Sequence, residues 1–330
     1  MNVLVTGGAG FIGSHVAERL VARGRRVVVL DDLSGGFAEN VPAGAELVRG
    51  SITDATLVDR LFEANRFEHV FHLAAYAAEG LSHFIRRFNY TNNLTGSVTL
   101  INAAVNHGTR CFVFTSSIAV YGASPELPMT EATPPHPEDP YGIAKLAVEQ
   151  DLAAARAMFG LDFVVFRPHN VYGERQNIGD RYRNVVGIFM NQALAGRPMT
   201  VFGDGMQTRA FSYIDDVAPI IAESIDVPGA YNQVFNIGAE QPCRVNDLAA
   251  AVARAMGVPP AVVHLPARQE VQDAYSAHEK LARVFGTRPP CGLEEGLERM
   301  ARWVRRQGAR RGQRFEAIEV TRNLPAAWLD

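Results

Sequence analysis

The stretch that most constrains this chain is Val3-Leu4-Val5-Thr6-Gly7-Gly8-Ala9-Gly10-Phe11-Ile12-Gly13. A short β-branched run enters a glycine turn, and His15–Arg23 continues with apolar residues at helical spacing. Glycine admits positive φ and lets a pyrophosphate approach the backbone. A helix starting at such a turn aims its unpaired amides and the positive end of its dipole at that anion. A bare glycine pattern is weak; here a strand precedes it, a helix follows, and an acid closes the next strand. That acid is Asp31. A carboxylate there accepts from both hydroxyls of an adenosine ribose and repels a 2′-phosphate, so NAD is expected rather than NADP. Asp32 competes with Asp31 for the position.

The rest of the chain fits an α/β fold with a doubly wound parallel sheet. Val27–Leu30, Leu47–Val48, Val70–Leu73, Cys111–Thr115, Phe163–Arg167 and Val234–Ile237 read as strands. They are almost continuously apolar, as strands buried on both faces must be. Helices are expected in Asn93–Asn106, from Tyr141 onward, and in Val185–Ala195, Val245–Met256 and Glu294–Arg306. Pro125–Pro140 holds six of the 18 prolines and reads as a loop, with Pro140 where helices begin. The Arg-rich stretch beyond Gly308 reads as a helix end followed by a surface-packed terminus.

Composition narrows the function. Among 330 residues, 32 Lys and Arg face 35 Asp and Glu, a net −3, without the basic excess of nucleic-acid or membrane-surface proteins. No apolar run is long enough to span a bilayer, and a strand starting at Val3 leaves no room for a signal peptide. Cys111, Cys243 and Cys291 are too few and too scattered for a disulfide framework or a cysteine metal site. The expectation is a cytoplasmic protein that binds no metal, nucleic acid or membrane.

Tyr141 and Lys145 stand four apart, on one helix face. A free phenol titrates near 10, and a base working near pH 7 needs it lowered by about 3 units, roughly 4 kcal/mol. A neighbouring ammonium and an oxidised nicotinamide are the two cations that favour the phenolate. Lys145 is also placed to hold the nicotinamide ribose. Ser116 and Ser117 follow the strand Cys111–Thr115, at the carboxyl end where open α/β sheets bind ligands. A hydroxyl there can bond a substrate hydroxyl and relay its proton. No His or acid lies in a nucleophile-elbow context, which excludes a serine hydrolase.

Taken together these motifs resemble the extended short-chain dehydrogenase/reductase family, in particular its nucleotide-sugar epimerases and dehydratases. The resemblance spans about residues 2–305. It rests on the glycine turn, His72-Leu73-Ala74-Ala75, Asn93, Ser116-Ser117-Ile118-Ala119-Val120-Tyr121-Gly122, Tyr141 with Lys145, Arg167-Pro168-His169-Asn170-Val171-Tyr172-Gly173 and Phe202–Arg209. It implies a Rossmann-type NAD-binding domain of residues 1–169 and about 211–239. A smaller nucleotide-sugar-binding domain would take about 170–210 and 240–330. Gly7, Gly10, Phe11, Ile12 and Gly13 would hold the NAD pyrophosphate and Asp31 its ribose. Ser51 and Ile52 would lie by the adenine, with Leu73, Ala74, Ala75, Asn93, Ser116 and Pro168 along the cofactor groove. Ser117, Tyr141 and Lys145 would be catalytic. Glu79, Ser82 and His169 would meet the sugar, and Asn170, Arg209, Arg268 and Glu270 its nucleotide diphosphate.

Departures from the family's subgroups point to a UDP-hexose 4-epimerase. Ile118-Ala119 replaces the Asp-Glu of 4,6-dehydratases, and Ala119 the cysteine of 3,5-epimerases. Asn177 stands where uronic-acid 4-epimerases often carry Arg. His169 keeps a C3/C5 epimerase open, alongside a decarboxylase, a reductase or a non-catalytic NAD-binding sensor. The family also implies a homodimer paired through helices near 93–107 and 141–158.

Overall fold

The computed structural model describes residues 1–268, 270–311 and 314–328. In chain order the strands are β1 (Asn2–Thr6), β2 (Arg26–Asp31), β3 (Ala45–Arg49), β4 (His69–His72), β5 (Cys111–Thr115), β6 (Asp162–Pro168), β7 (Val171–Tyr172), β8 (Met199–Phe202), β9 (Thr208–Ala210), β10 (Ser212–Tyr213), β11 (Gln233–Ile237), β12 (Pro242–Arg244), β13 (Val262–Leu265) and β14 (Asp273–Ala274). The helices are α1 (Phe11–Ala22), α2 (Ala55–Asn65), α3 (Glu79–Ser82), α4 (Arg86–Tyr90), α5 (Gly96–Asn106), α6 (Pro140–Phe159), α7 (Val185–Leu194), α8 (Ile214–Glu223), α9 (Val245–Met256), α10 (Glu279–Phe285) and α11 (Leu293–Gln307).

Seven strands form one sheet in the order β11-β6-β5-β4-β1-β2-β3, every neighbouring pair parallel. The expected strands are all in this sheet. Alternation along β1 explains why both faces are apolar. Val3 and Val5 pack with Val16, Leu20 and Ile214 on one face, while Leu4 packs with Phe62, Leu100 and Val148 on the other. Chain order reverses between β1 and β4, which opens a crevice at the carboxyl ends of the strands.

Local chemistry sets the helix that matters most. The Asp139 carboxylate accepts from the amides of Tyr141 and Gly142, Pro140 occupies the first turn, and Gly160 ends α6 at φ +78°. The helix expected over Asn93–Asn106 starts differently: Thr91–Thr95 winds as a π turn and α5 begins only at Gly96. The Pro-rich loop contains no helix or strand before Pro140, which opens α6, only an isolated bridge from Met129 to Ser276. The pairs β7–β10 and β8–β13 and the sheet β12-β9-β14 join segments too short to show a period in sequence. No helix among the described residues is long and apolar enough to cross a membrane.

Under the crevice lies a sealed polar network. Arg167 donates from Nε to Glu149 Oε1 at 3.0 Å and from Nη2 to Glu149 Oε2 at 2.5 Å. The same Oε1 accepts from Ser116 Oγ at 2.5 Å, and Arg167 Nη1 donates to the Tyr121 hydroxyl at 2.7 Å. Tyr121 in turn donates to Asn236 Oδ1 at 2.7 Å. All five residues are buried. Glu149→Ala would strand the Arg167 guanidinium away from water and should cost about 3–5 kcal/mol in chemical denaturation. A loss below about 1 kcal/mol would mean the pair carries no such constraint.

Candidate active site

The glycine turn leaves space where any side chain would fill it. A Cβ on Gly13 would run into the Gly7 carbonyl, and one on Gly7, at φ +71°, would sit 2.6 Å from the Ala74 amide nitrogen. α1 starts with Gly10 as its cap and no side chain bonded to its first amides. Those donors are free for an anion, so the residues present fit a dinucleotide pyrophosphate. Asp31 Oδ2 accepts from the Ala9 amide at 3.0 Å and Oδ1 from Leu33 at 2.8 Å, which ties the end of β2 to the turn. Burial raises the Asp31 pKa and these bonds counter it. Asp32 instead accepts from the amide of Ser34, on the more exposed side.

A cavity of about 500 Å³ runs from this turn across the sheet. Its wall includes Gly7, Gly10, Phe11, Ile12, Gly13, Asp31, Asp32, Ser51, Ile52, Leu73, Ala74, Ala75, Ser116 and Pro168. It also includes Ser117, Tyr141, Lys145, Glu79, Asn170, Arg209, Arg268 and Glu270. Three residues expected at the site are absent from that wall. Asn93 is buried, and its Oδ1 accepts from the Tyr76 amide at 2.8 Å while Nδ2 donates to the Tyr76 carbonyl at 3.1 Å, so it braces a lining residue. Ser82 is buried, with Oγ donating to the Glu79 carbonyl at 2.6 Å and lying 3.3 Å from the Tyr141 amide. His169 lies behind the wall, stacked on His278 with ring centroids 5.3 Å apart and Nδ1 3.1 Å from the Ala210 carbonyl. Burial holds His169 down to about 4 and His278 to about 3, so both are neutral near pH 7.

The sequence did not single out Asp139 or Tyr76, which line the cavity together with Asp180 and Arg183. Asp139 carried a readable signal, since an acid directly before Pro140 is a helix cap. Arg183 donates from Nε to Asp180 Oδ2 at 2.7 Å and lies over the Tyr76 ring at 4.6 Å. Two further arginines share one carboxylate: Glu270 lies 3.0 Å from Arg268 and 3.9 Å from Arg209, and accepts from Gln207 at 3.0 Å.

Tyr141 and Lys145 lie one turn apart on α6 and are both buried. Lys145 Nζ donates to the Thr115 carbonyl at 2.7 Å and lies 5.7 Å from the Tyr141 ring centroid. Burial pushes the Tyr141 phenol above its ordinary range, the charge of Glu79 adds to this, and the Ser117 hydroxyl offsets part of it. The protein's own groups thus do not bring the phenol near 7. Burial pulls Lys145 down to about 7 against the raising effect of Glu149. Glu79 lines the cavity and is exposed within it. Desolvation there and the charge of Asp139 raise it to about 7, while Arg209 and Arg268 pull it down. Among the described residues no group of three or more His, Cys, Asp or Glu side chains could hold a metal ion.

A lysine whose pKa is lower in the folded than in the unfolded chain carries a penalty that is complete below about 7 and fades as pH rises toward the unfolded value. In protein free of dinucleotide, the wild type should therefore gain stability relative to Lys145→Met between about pH 7 and 9, by on the order of 1 kcal/mol per pH unit. Chemical denaturation of both proteins across that range measures it, and parallel profiles would contradict a penalised lysine.

Known proteins match this geometry. The model of the NAD dependent epimerase/dehydratase family matches residues 3–238. A UDP-glucose 4-epimerase of Mycolicibacterium smegmatis is 37% identical over 312 residues, covering 92% of this chain and 99% of the relative. A solved UDP-glucose 4-epimerase of Thermotoga maritima with UDP-glucose superposes with a TM-score of 0.88 at 36% identity, covering 93% of this chain and 99% of that one. The Thermus thermophilus UDP-glucose 4-epimerase in complex with NAD gives 0.86 at 36% identity, covering 92% and 98%. With the glycine turn and the Tyr141–Lys145 pair on one cavity wall, this chain belongs to the NAD-dependent epimerase/dehydratase family.

Proposed function

We propose that the chain is a UDP-hexose 4-epimerase that keeps NAD bound between turnovers. One observation carries this: a single cavity is lined by the glycine turn, by Ser117, Tyr141 and Lys145, and by Arg209 and Arg268. The similarity to UDP-glucose 4-epimerases over most of the chain supports the same reading. Gly7, Gly10 to Gly13, Asp31 and the groove residues Leu73, Ala74, Ala75, Ser116 and Pro168 would hold NAD. When bound, NAD supplies the hydride acceptor for C4 and, oxidised, a positive charge beside the phenol.

The chain's own residues do the remaining work. Tyr141, as phenolate, takes the C4 hydroxyl proton, with the Ser117 hydroxyl bridging. Lys145, fixed by the Thr115 carbonyl, orients the nicotinamide ribose and favours the phenolate when protonated. Arg209 and Arg268 hold the diphosphate. That remote binding energy lets the sugar be held loosely enough to present either face. Ile118 and Ala119 carry no acid for dehydration, and His169 behind the wall is not placed to invert C3 or C5. We assign residues 1–169 and about 211–239 to the cofactor half, supported by β11 pairing with β6, and about 170–210 and 240–330 to the substrate half. Three free thiols fit the reducing cytoplasm.

A second copy is proposed to cover the outer face of α6, where Ile143, Met158 and Phe159 are exposed. Changing Met158 and Phe159 together to Glu should convert a dimer to a monomer by light scattering; an unchanged mass would remove this interface. For the reaction, purified protein with UDP-glucose in deuterated water, without added NAD, should give the C4-inverted product with no deuterium on carbon. Deuterium at C3 or C5 would contradict the assignment. Tyr141→Phe should lower kcat by about 10²–10⁴, and full activity in that variant would remove Tyr141 as the base.

A further inference from the structure

The segment after α11 lies beyond the stretch whose motifs resemble the family, and it is not a loose end. Phe315 packs 5.3 Å from the Tyr76 ring and 4.9 Å from Phe88, and its amide donates to the Tyr182 hydroxyl at 3.1 Å. The Glu319 carboxylate accepts from the amides of Arg87 and Phe88 at 2.7 and 2.9 Å, capping α4. The Glu319 and Val320 amides both donate to the Phe84 carbonyl. Trp328 is 6% exposed and meets Phe84, Tyr182 and Phe202 at ring separations of 6.0, 5.4 and 6.2 Å. The segment therefore joins two walls of one cavity. Tyr76 and Phe88 belong to the first, and Tyr182 and Phe202 to the second.

Arg268 is a charged cavity residue that meets this strap. Its guanidinium carbon lies 4.6 Å from the Phe202 ring centroid and 5.9 Å from that of Trp328, in the corner the two rings make. Glu270 holds it from the other side at 3.0 Å. Gly80 faces the same corner. A Cβ there would sit 3.3 Å from Trp328 Cη2 and 3.6 Å from Arg268 Nη1. A guanidinium on a long flexible stem loses much rotamer freedom when it binds an anion. Fixing it beforehand lowers that cost.

We propose that Trp328 is a positioning residue for the diphosphate of the nucleotide ligand, acting by holding Arg268 against Phe202. This rests on Arg268 facing that diphosphate, as in the function proposed above. The test uses the full chain and measures binding of UDP and of inorganic pyrophosphate by calorimetry, together with KM and kcat for UDP-glucose. Trp328→Ala should weaken UDP binding and raise KM about tenfold, leaving kcat within about twofold and NAD content unchanged. Trp328→Phe, which keeps a ring face, should restore most of the loss, whereas Trp328→Leu, which fills space without one, should not. UDP bound as tightly by Trp328→Ala as by the wild type would overturn the proposal. Should that variant not fold, Trp303→Phe leaves Trp328 as the sole tryptophan. Its emission should then change on adding UDP, and unchanged emission at saturation overturns the proposal. Wild-type protein that binds UDP without turning over UDP-glucose would remove the epimerase reading alone. Wild-type protein that binds neither UDP nor pyrophosphate would remove both.

Discussion

An ion pair shut away from water fixes the floor on which the rest of this site stands. Glu149 belongs to α6 and Arg167 to β6, and Ser116, Tyr121 and Asn236 join them from the end of β5, the turn that follows it, and β11. Each group satisfies another, so none can shift alone. Arginine suits the position because its planar fork bonds the carboxylate through two nitrogens and still reaches the Tyr121 hydroxyl. Lys145 sits one turn before Glu149 on the same helix, so the network also sets where the ammonium points. Tyr141 lies a turn earlier again, and Asp139 fixes that end of the helix through two backbone amides.

Burial acts on the two candidate proton carriers in opposite senses. It pushes the Tyr141 phenol up and the Lys145 ammonium down, so the protein alone favours a protonated phenol beside a lysine with little excess charge. Such a site makes a poor base until a positive charge arrives next to it. That coupling suits a reaction in which proton removal and hydride removal must coincide at one carbon. Glu79 sharpens it, since its charge adds to the cost of a phenolate.

Much of this was legible in the sequence because it is written locally. The glycine turn, the acid at the end of β2 and the four-residue spacing of Tyr141 and Lys145 are short patterns with a direct geometric meaning. The seven central strands were legible because burial on both faces leaves almost uninterrupted apolar runs. What escaped is written across distance. Asn93 and His169 carry chemistry-bearing side chains, yet one braces the backbone of Tyr76 and the other stacks on His278, and neither partner is visible from spacing. Trp328 meets Arg268 and Phe202 only after the chain has crossed the whole substrate side, so the Arg-rich stretch beyond Gly308 read as an ordinary surface terminus. The short strands β7 to β10 and β12 to β14 hold too few residues to show a period of two.

In the proposed reaction one cavity removes a hydride from C4 of a nucleotide sugar and returns it to the same carbon. Turnover of UDP-glucose deuterated at C4, followed by NMR of the product, tests it most directly. The product should have an inverted C4 that still carries its deuterium, because the hydride never leaves the site. Loss of the label to solvent, or inversion at any other carbon, would contradict it.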